Sequence, residues 1–142
     1  MPILFKPEFV PLILDGTKTQ TRRIWKHGPR VKKGKIYQAR TTTYGPPFAT
    51  LKVKRIWRQQ LGDMTINEVW AEGFADHESF LTAFAEINGI GSRWIRYNRS
   101  GSRNRNRTST GLYRVQPPKL RDIEVWAIEF EVVEVKKWEQ KQ

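Results

Sequence analysis

The segment EVWAIEFEVVEV, residues 124–135, sets apolar Ile128, Phe130 and Val132 against acidic Glu129 and Glu131. Alternation sustained over this length is a strand with one face in a core and the other in solvent, because successive side chains leave a strand on opposite sides. A strand of this kind commits the chain to a sheet. The segment FATLKVKRIW, residues 48–57, has the same period, with Leu51 and Val53 inward and Lys52 and Lys54 outward. Ahead of it, GPRVKKGKIYQART reads as a turn feeding a strand that Ile36 and Tyr37 enter. These two segments are expected to pair antiparallel through the turn TYGPPF.

Helical signals fill the rest. In PEFVPLILDG, Phe9, Leu12 and Ile13 fall at i, i+3 and i+4, Pro7 suits a first turn, and Gly16 suits the left-handed position after a helix. Thr65 followed by Glu68 is a capping box, which predicts a helix from Thr65 through Val69 and Trp70 toward Gly73. Asp76 caps a second helix, whose apolar stripe is Phe80, Phe84 and Ile87. The last residues, KKWEQKQ, are expected to fray.

Composition narrows the class. A chain of 142 residues suits one domain spanning 1–142, and 38% hydrophobic residues supply a core. With no cysteine, disulfide scaffolds, thiolate metal sites and cysteine nucleophiles are excluded. His27 and His77 are too few and too far apart to suggest a metal site. Neither a P-loop nor a dinucleotide-binding glycine motif is present, and no cofactor is expected. No apolar run reaches the length of a membrane span, and charges and prolines interrupt MPILFKPEFVPLIL, so the expectation is a cytoplasmic protein with no membrane partner.

The net charge of +12 is strongly segregated. Between Gly16 and Gly62 stand thirteen Lys or Arg and no acid, whereas residues 63–86 hold six acids and no base. Residues 87–121 return to nine bases and no acid. A basic face of this density makes nucleic acid the default partner. Asp76, Glu78 and Glu86 read as a solvated helix face.

The sharpest local cluster is DGTKTQTRR, residues 15–23. Lys18, Arg22, Arg23 and the nearby Lys26 surround three threonine hydroxyls, a set able to hold phosphate or a developing oxyanion. The plainer reading, a solvated basic strand after a helix cap, stands beside it with about even weight. If the segment is extended, Thr19, Thr21 and Arg23 share one face and Lys18, Gln20 and Arg22 the other, so Lys18 and Thr21 meet only through a turn.

The helix, then GTKTQTRR, then WAEGF with an aromatic helix, and finally VWAIEFEVVE together resemble the ASCH domain, a relative of the PUA fold. The resemblance covers residues 1–90 and 120–135; its most specific element is Gly16, Lys18 and Arg22 or Arg23, supported by Glu72, Gly73 and Phe74. It implies an α+β fold, a PUA-like small β-barrel with short helices flanking a basic cleft, and an association with RNA. Some small members of that family are amidohydrolases acting on N4-acetylcytidine and others are described as ribonucleases. The catalytic lysine, threonine and glutamate of the amidohydrolases fall on Lys18, Thr21 and Glu72 here. In that reading a desolvated Lys18 takes the proton of Thr21, and Glu72 protonates the leaving amine or orients the substrate. For Glu72 alone the plainer reading is a charge at a helix end.

This chain is longer than those small members, mostly through an arginine-rich insertion at about residues 91–118, expected to form a loop or hairpin. Arg93, Arg96, Arg99, Arg103, Arg105 and Arg107 are interleaved there with Trp94 and Tyr97, pairing phosphate ligands with stacking platforms. Trp25, flanked by bases, is a further stacking candidate, while Trp57, Trp70 and Trp126 lie on periodic stripes and read mostly as core. The expectation is therefore a nucleic-acid-binding protein, RNA favoured over DNA, using Lys18, Arg22, Arg23, Trp25, Lys26 and the insertion. Two alternatives stand beside it: a hydrolase using Lys18, Thr21 and Glu72, and an adaptor docking on a protein partner.

Overall fold

A computed structural model describes residues 1–90 and 117–136. Five strands form one mixed sheet: β1 (Ile3–Leu4), β2 (Gln20–Arg23), β3 (Ile36–Arg40), β4 (Pro47–Gln60) and β5 (Glu124–Val135). Their order across the sheet is β1-β3-β4-β5-β2. β1 runs parallel to β3, and every other pairing is antiparallel. As the alternation requires, β3 and β4 are neighbours joined through residues 41–46, and β4 lies against β5 along its length.

The sheet is curled rather than flat. β4 carries register shifts between Thr50 and Leu51 and between Val53 and Arg55 on its β5 side. Such irregularities bend a strand and increase its twist. The result is a half-barrel whose two edge strands, β1 and β2, face one another without a ladder between them. Arg23 on β2 spans this seam, donating from Nη2 to the carbonyl of Leu4 on β1 at 2.7 Å.

Inside the curl lies the larger core. Phe48, Leu51, Val53, Ile128 and Phe130 are fully or nearly fully buried there, with Phe5 stacked edge-on against both Phe48 and Phe130. Burying each such side chain contributes about 1.5–3 kcal/mol relative to leaving it exposed. Val10 and Ile13 close one side of this core from α1 (Val10–Leu14), which follows a 3-10 turn over Pro7–Phe9. A second core lies under α2 (Ile66–Ala71) and α3 (His77–Ile87), where Val69, Phe80, Leu81 and Phe84 meet Leu61, Met64 and Val125.

The helix starts follow the sequence. Thr65 and Glu68 form the full reciprocal capping box, and the Asp76 carboxylate accepts the Ser79 N–H at 2.8 Å. Two apolar positions differ from their periodic stripes: Ile87 is 46% exposed and Trp70 is 53% exposed. The fully buried residues of α3 end with Phe84, and the Trp70 indole lies at the surface, its N–H tied to the Ala75 carbonyl at 3.1 Å. No helix among the described residues is long and apolar enough to cross a membrane. The arginine-rich insertion expected at 91–118 falls almost wholly outside the described residues, as does the C-terminal tail beyond residue 136.

Candidate functional site

The segment from Thr17 to Thr19 is laced between two helices and a strand. Gly16, at φ 86°, ends α1, and the Asp15 carboxylate accepts the Thr17 N–H at 2.8 Å; the Thr17 side chain and this N–H together hold the Asp15 pKa below the ordinary value. The Lys18 N–H then reaches back to the Leu12 carbonyl, and the Thr19 N–H reaches the Ala71 carbonyl at the end of α2. The Phe130 N–H donates to the Thr19 carbonyl, and β2 begins.

This lacing turns DGTKTQTRR inward. Lys18 is 2% exposed, Arg22 4% and Thr21 6%, so the reading as a solvated basic strand does not hold. The counter-charge is Glu72, 54 residues along the chain from Lys18. Its Oε1 accepts from Lys18 Nζ at 2.8 Å and its Oε2 accepts from Arg22 Nη1 at 3.0 Å. Lys18 Nζ also donates to the carbonyls of Glu72, at 2.9 Å, and Gln20, at 3.0 Å. Three acceptors thus match the three protons of an ammonium.

Glu72 holds this position because α2 ends on it. Gly73 follows at φ 97°, the left-handed residue that closes many helices, and a Cβ there meets Leu12 Cδ1 at 3.1 Å. Gly73→Ala is therefore expected to cost about 1–2 kcal/mol from backbone conformation alone. Chemical denaturation with an unchanged m-value checks it.

Arg22 is anchored a second time. Its Nε donates to Gln59 Oε1 at 2.9 Å, while Nη2 stands 3.5 Å from Glu68 Oε2 without a hydrogen bond. Glu68 thereby serves twice, as capping-box partner of Thr65 and as acceptor from Gln59 Nε2 at 3.0 Å. Its partial burial works to raise its pKa, but the Thr65 N–H, Gln59 and the Arg22 charge together hold it below the ordinary value. Arg23 points to the opposite face: Nε donates to Thr21 Oγ1 at 3.2 Å, and the guanidinium lies 5.2 Å over the Phe5 ring. Burial lowers its pKa, yet a guanidinium so far above neutrality stays charged. Among the described residues it forms no ion pair.

Burial likewise pulls the Lys18 pKa below the ordinary value, opposed by Glu72 and reinforced by Arg23 and Arg22. Desolvated ionisable groups of this kind concentrate at functional sites. They stand here at the floor of a pocket of about 160 Å³, open at the seam between β1 and β2. Lys18, Thr21, Arg22 and Glu72 form its polar side, and Phe9, Phe74, Phe80 and Phe84 its apolar wall. Phe9, Phe74 and Phe80 stack edge to face at 6.0 and 5.6 Å, giving a preformed aromatic surface. A second cavity of about 210 Å³ shares Lys6, Phe9, Phe74, Ala83 and Ile87 with the first and adds Glu8 and Glu86.

The structure brings five of the sequence-predicted residues, Lys18, Thr21, Arg22, Arg23 and Glu72, to this pocket. Trp25 instead packs against the half-barrel core, and the exposed Lys26 does not line the pocket. Arg93, Trp94, Arg96, Tyr97, Arg99, Arg103, Arg105 and Arg107 lie outside the described residues. Sequence reasoning missed Gln59, Phe9 and Phe74 as site residues. Only the placement of Phe74 after Glu72 and Gly73 pointed to one of them.

No known family model and no curated protein sequence matches this chain. Crystal structures that resemble it include the following two. Protein EF3133 from Enterococcus faecalis V583, of the DUF984 family, superposes with a TM-score of 0.62 at 15% identity, covering 95% of this chain and 78% of that one. An ASCH domain from Lactobacillus crispatus JV V101 superposes with a TM-score of 0.53 at 16% identity, covering 88% of this chain and 70% of that one. The fold is accordingly ASCH-like, in the α+β class of PUA-like small barrels.

Proposed function

We propose that this ASCH-like domain binds nucleic acid, RNA in preference to DNA, by drawing one base into the seam pocket. One observation supports the reading above the others: an aromatic-walled pocket of single-ring size opens beside buried cations, in a chain of net charge +12. Aromatic side chains stack on bases whatever their identity, and the basic surface supplies the phosphate attraction. Lys18 and Arg22 are committed to Glu72, so their part is to hold the polar wall of the pocket rather than to pair with phosphate. The exposed bases, together with the insertion, carry the backbone contacts.

A second reading, a hydrolase, draws on the depressed Lys18 pKa and on Thr21 and Glu72 in the same pocket. It requires Lys18 to exchange one of its three acceptors for the Thr21 hydroxyl, which is now held by Arg23. It also requires Lys18 to give up a proton that those three acceptors retain. Binding is the reading that needs no such rearrangement.

The test is a binding assay at near-physiological salt with labelled single-stranded RNA, duplex RNA and duplex DNA, with mass spectrometry of the same samples. Single-stranded RNA is expected to bind tightest, with a logarithmic salt slope of about −0.7 per neutralised phosphate and intact products. Cleavage, or deacetylation of a strand carrying N4-acetylcytidine, that vanishes in Lys18→Ala establishes the hydrolase instead. Failure to bind any nucleic acid overturns both the RNA reading and its polymeric substrate, and leaves a protein partner.

A further inference from the structure

The pocket touches Thr21, Arg22 and Arg23 in succession. Neighbouring residues of a strand point to opposite faces. A cavity reached by all three therefore lies off the edge of β2, not over either face. One edge of β2 is filled by β5, so the pocket occupies the other, at the seam with β1.

The register identifies which main-chain groups point into that seam. The Phe130 N–H donates to the Thr19 carbonyl, which fixes that carbonyl toward β5, while the Thr19 N–H, ahead of β2, goes to Ala71. Hydrogen-bonding direction alternates along an antiparallel strand, so Thr21 and Arg23 also turn their N–H and C=O to β5. Gln20 and Arg22 turn theirs to the seam. The Gln20 carbonyl agrees, since Lys18 Nζ takes it from that side at 3.0 Å. Among the described residues nothing meets the Arg22 N–H or C=O. The Arg22 side chain is already engaged by Gln59 and Glu72, which leaves its main chain as the part free for a ligand. A buried donor and acceptor without partners are costly, and Arg22 is only 4% exposed.

We propose that the Arg22 N–H and C=O read the Watson–Crick edge of an unpaired pyrimidine. This rests on the base-binding reading above. Each base carries a donor and an acceptor side by side on that edge, and a duplex occupies it, so the site discriminates against paired strands. The volume favours one ring: a cavity of about 150 Å³ holds a benzene molecule, close to the 160 Å³ found here. Hydrogen bonds from a strand edge fix the ring in plane, while Phe9 and Phe74 border the same space.

The test uses the full chain, isotopically labelled for amide spectroscopy, and three single-stranded RNA pentamers differing only at the centre: uridine, N3-methyluridine and an abasic site. The uridine pentamer is expected to bind about tenfold or more tighter than the N3-methyl pentamer. The Arg22 amide shifts and exchanges more slowly on binding, while the Thr21 amide, paired to β5, does not respond. Equal affinity for uridine and N3-methyluridine, with weaker binding of the abasic pentamer, overturns edge reading and leaves base binding intact. Equal affinity for all three removes the base from the pocket and overturns both. An Arg22 amide that responds to an extended peptide but not to RNA assigns the edge to strand addition and overturns the proposal.

Discussion

Glu72→Gln lowers stability by about 3–5 kcal/mol, the range for removing one partner of a buried ion cluster. The substitution keeps the shape of the side chain and deletes only the charge, leaving Lys18 and Arg22 buried with no carboxylate between them. For a chain of this size about 1 kcal/mol corresponds to about 2–4 °C, so the loss is plain in a thermal melt. It also carries a pH signature. The Lys18 pKa is already below its ordinary 10.5 when folded, and losing the Glu72 attraction lowers it further. Between the folded value and 10.5 the unfolded chain holds the proton and the folded chain does not. The variant's folded Lys18 releases its proton at lower pH than the wild type's, so stability of the variant relative to wild type recovers as pH rises between those two folded values and stays at its lowest below them. Denaturant titrations at neutral pH and near pH 10 measure the difference. A variant that loses little stability at neutral pH shows that water reaches the cluster and that its burial is not what it is taken to be.

The companion variant separates structure from function. Replacing Lys18, Arg22 and Glu72 together by apolar residues of similar volume is expected to return much of the lost stability, because well-packed side chains often equal or exceed a buried ion cluster. What does not return is ligand binding.

What the sequence disclosed and what it concealed divide by range of interaction. The Thr65–Glu68 box, the Asp76 cap, the turn at Gly16 and the alternation of β4 and β5 are set by residues a few positions apart, and each is in place. Thr21 and Arg23 were seen to share a face, and they share a hydrogen bond. The burial of Lys18 and Arg22 was not legible, since a run of cations free of acids looks solvated. Its compensation arrives from Glu72 and Gln59, far along the chain. The seam was also hidden: β1 is two residues long, too short for any pattern, and its parallel pairing with β3 leaves no local trace. The exposure of Trp70 shows the same limit, because periodicity tells which residues share a face and not whether another element covers it.

Ala83→Trp abolishes base-dependent binding while leaving the fold in place. Ala83 is a half-buried position on α3 that lines both cavities, so an indole there fills the space a pyrimidine needs without displacing a core residue. One stacked base is worth about 1–3 kcal/mol, so the expected loss is about 5- to 150-fold in affinity for single-stranded RNA. The salt slope stays unchanged, because the phosphate contacts belong to other residues. That pairing of outcomes distinguishes occlusion from general damage, which weakens both terms and lowers the melting temperature as well. Ala83→Ser supplies the control, adding one atom and leaving the pocket open. If Ala83→Trp binds RNA as tightly as wild type, the attraction comes from the charged surface alone. The cluster of Lys18, Arg22 and Glu72 then has to be explained by a different ligand or by the chemistry of the second reading.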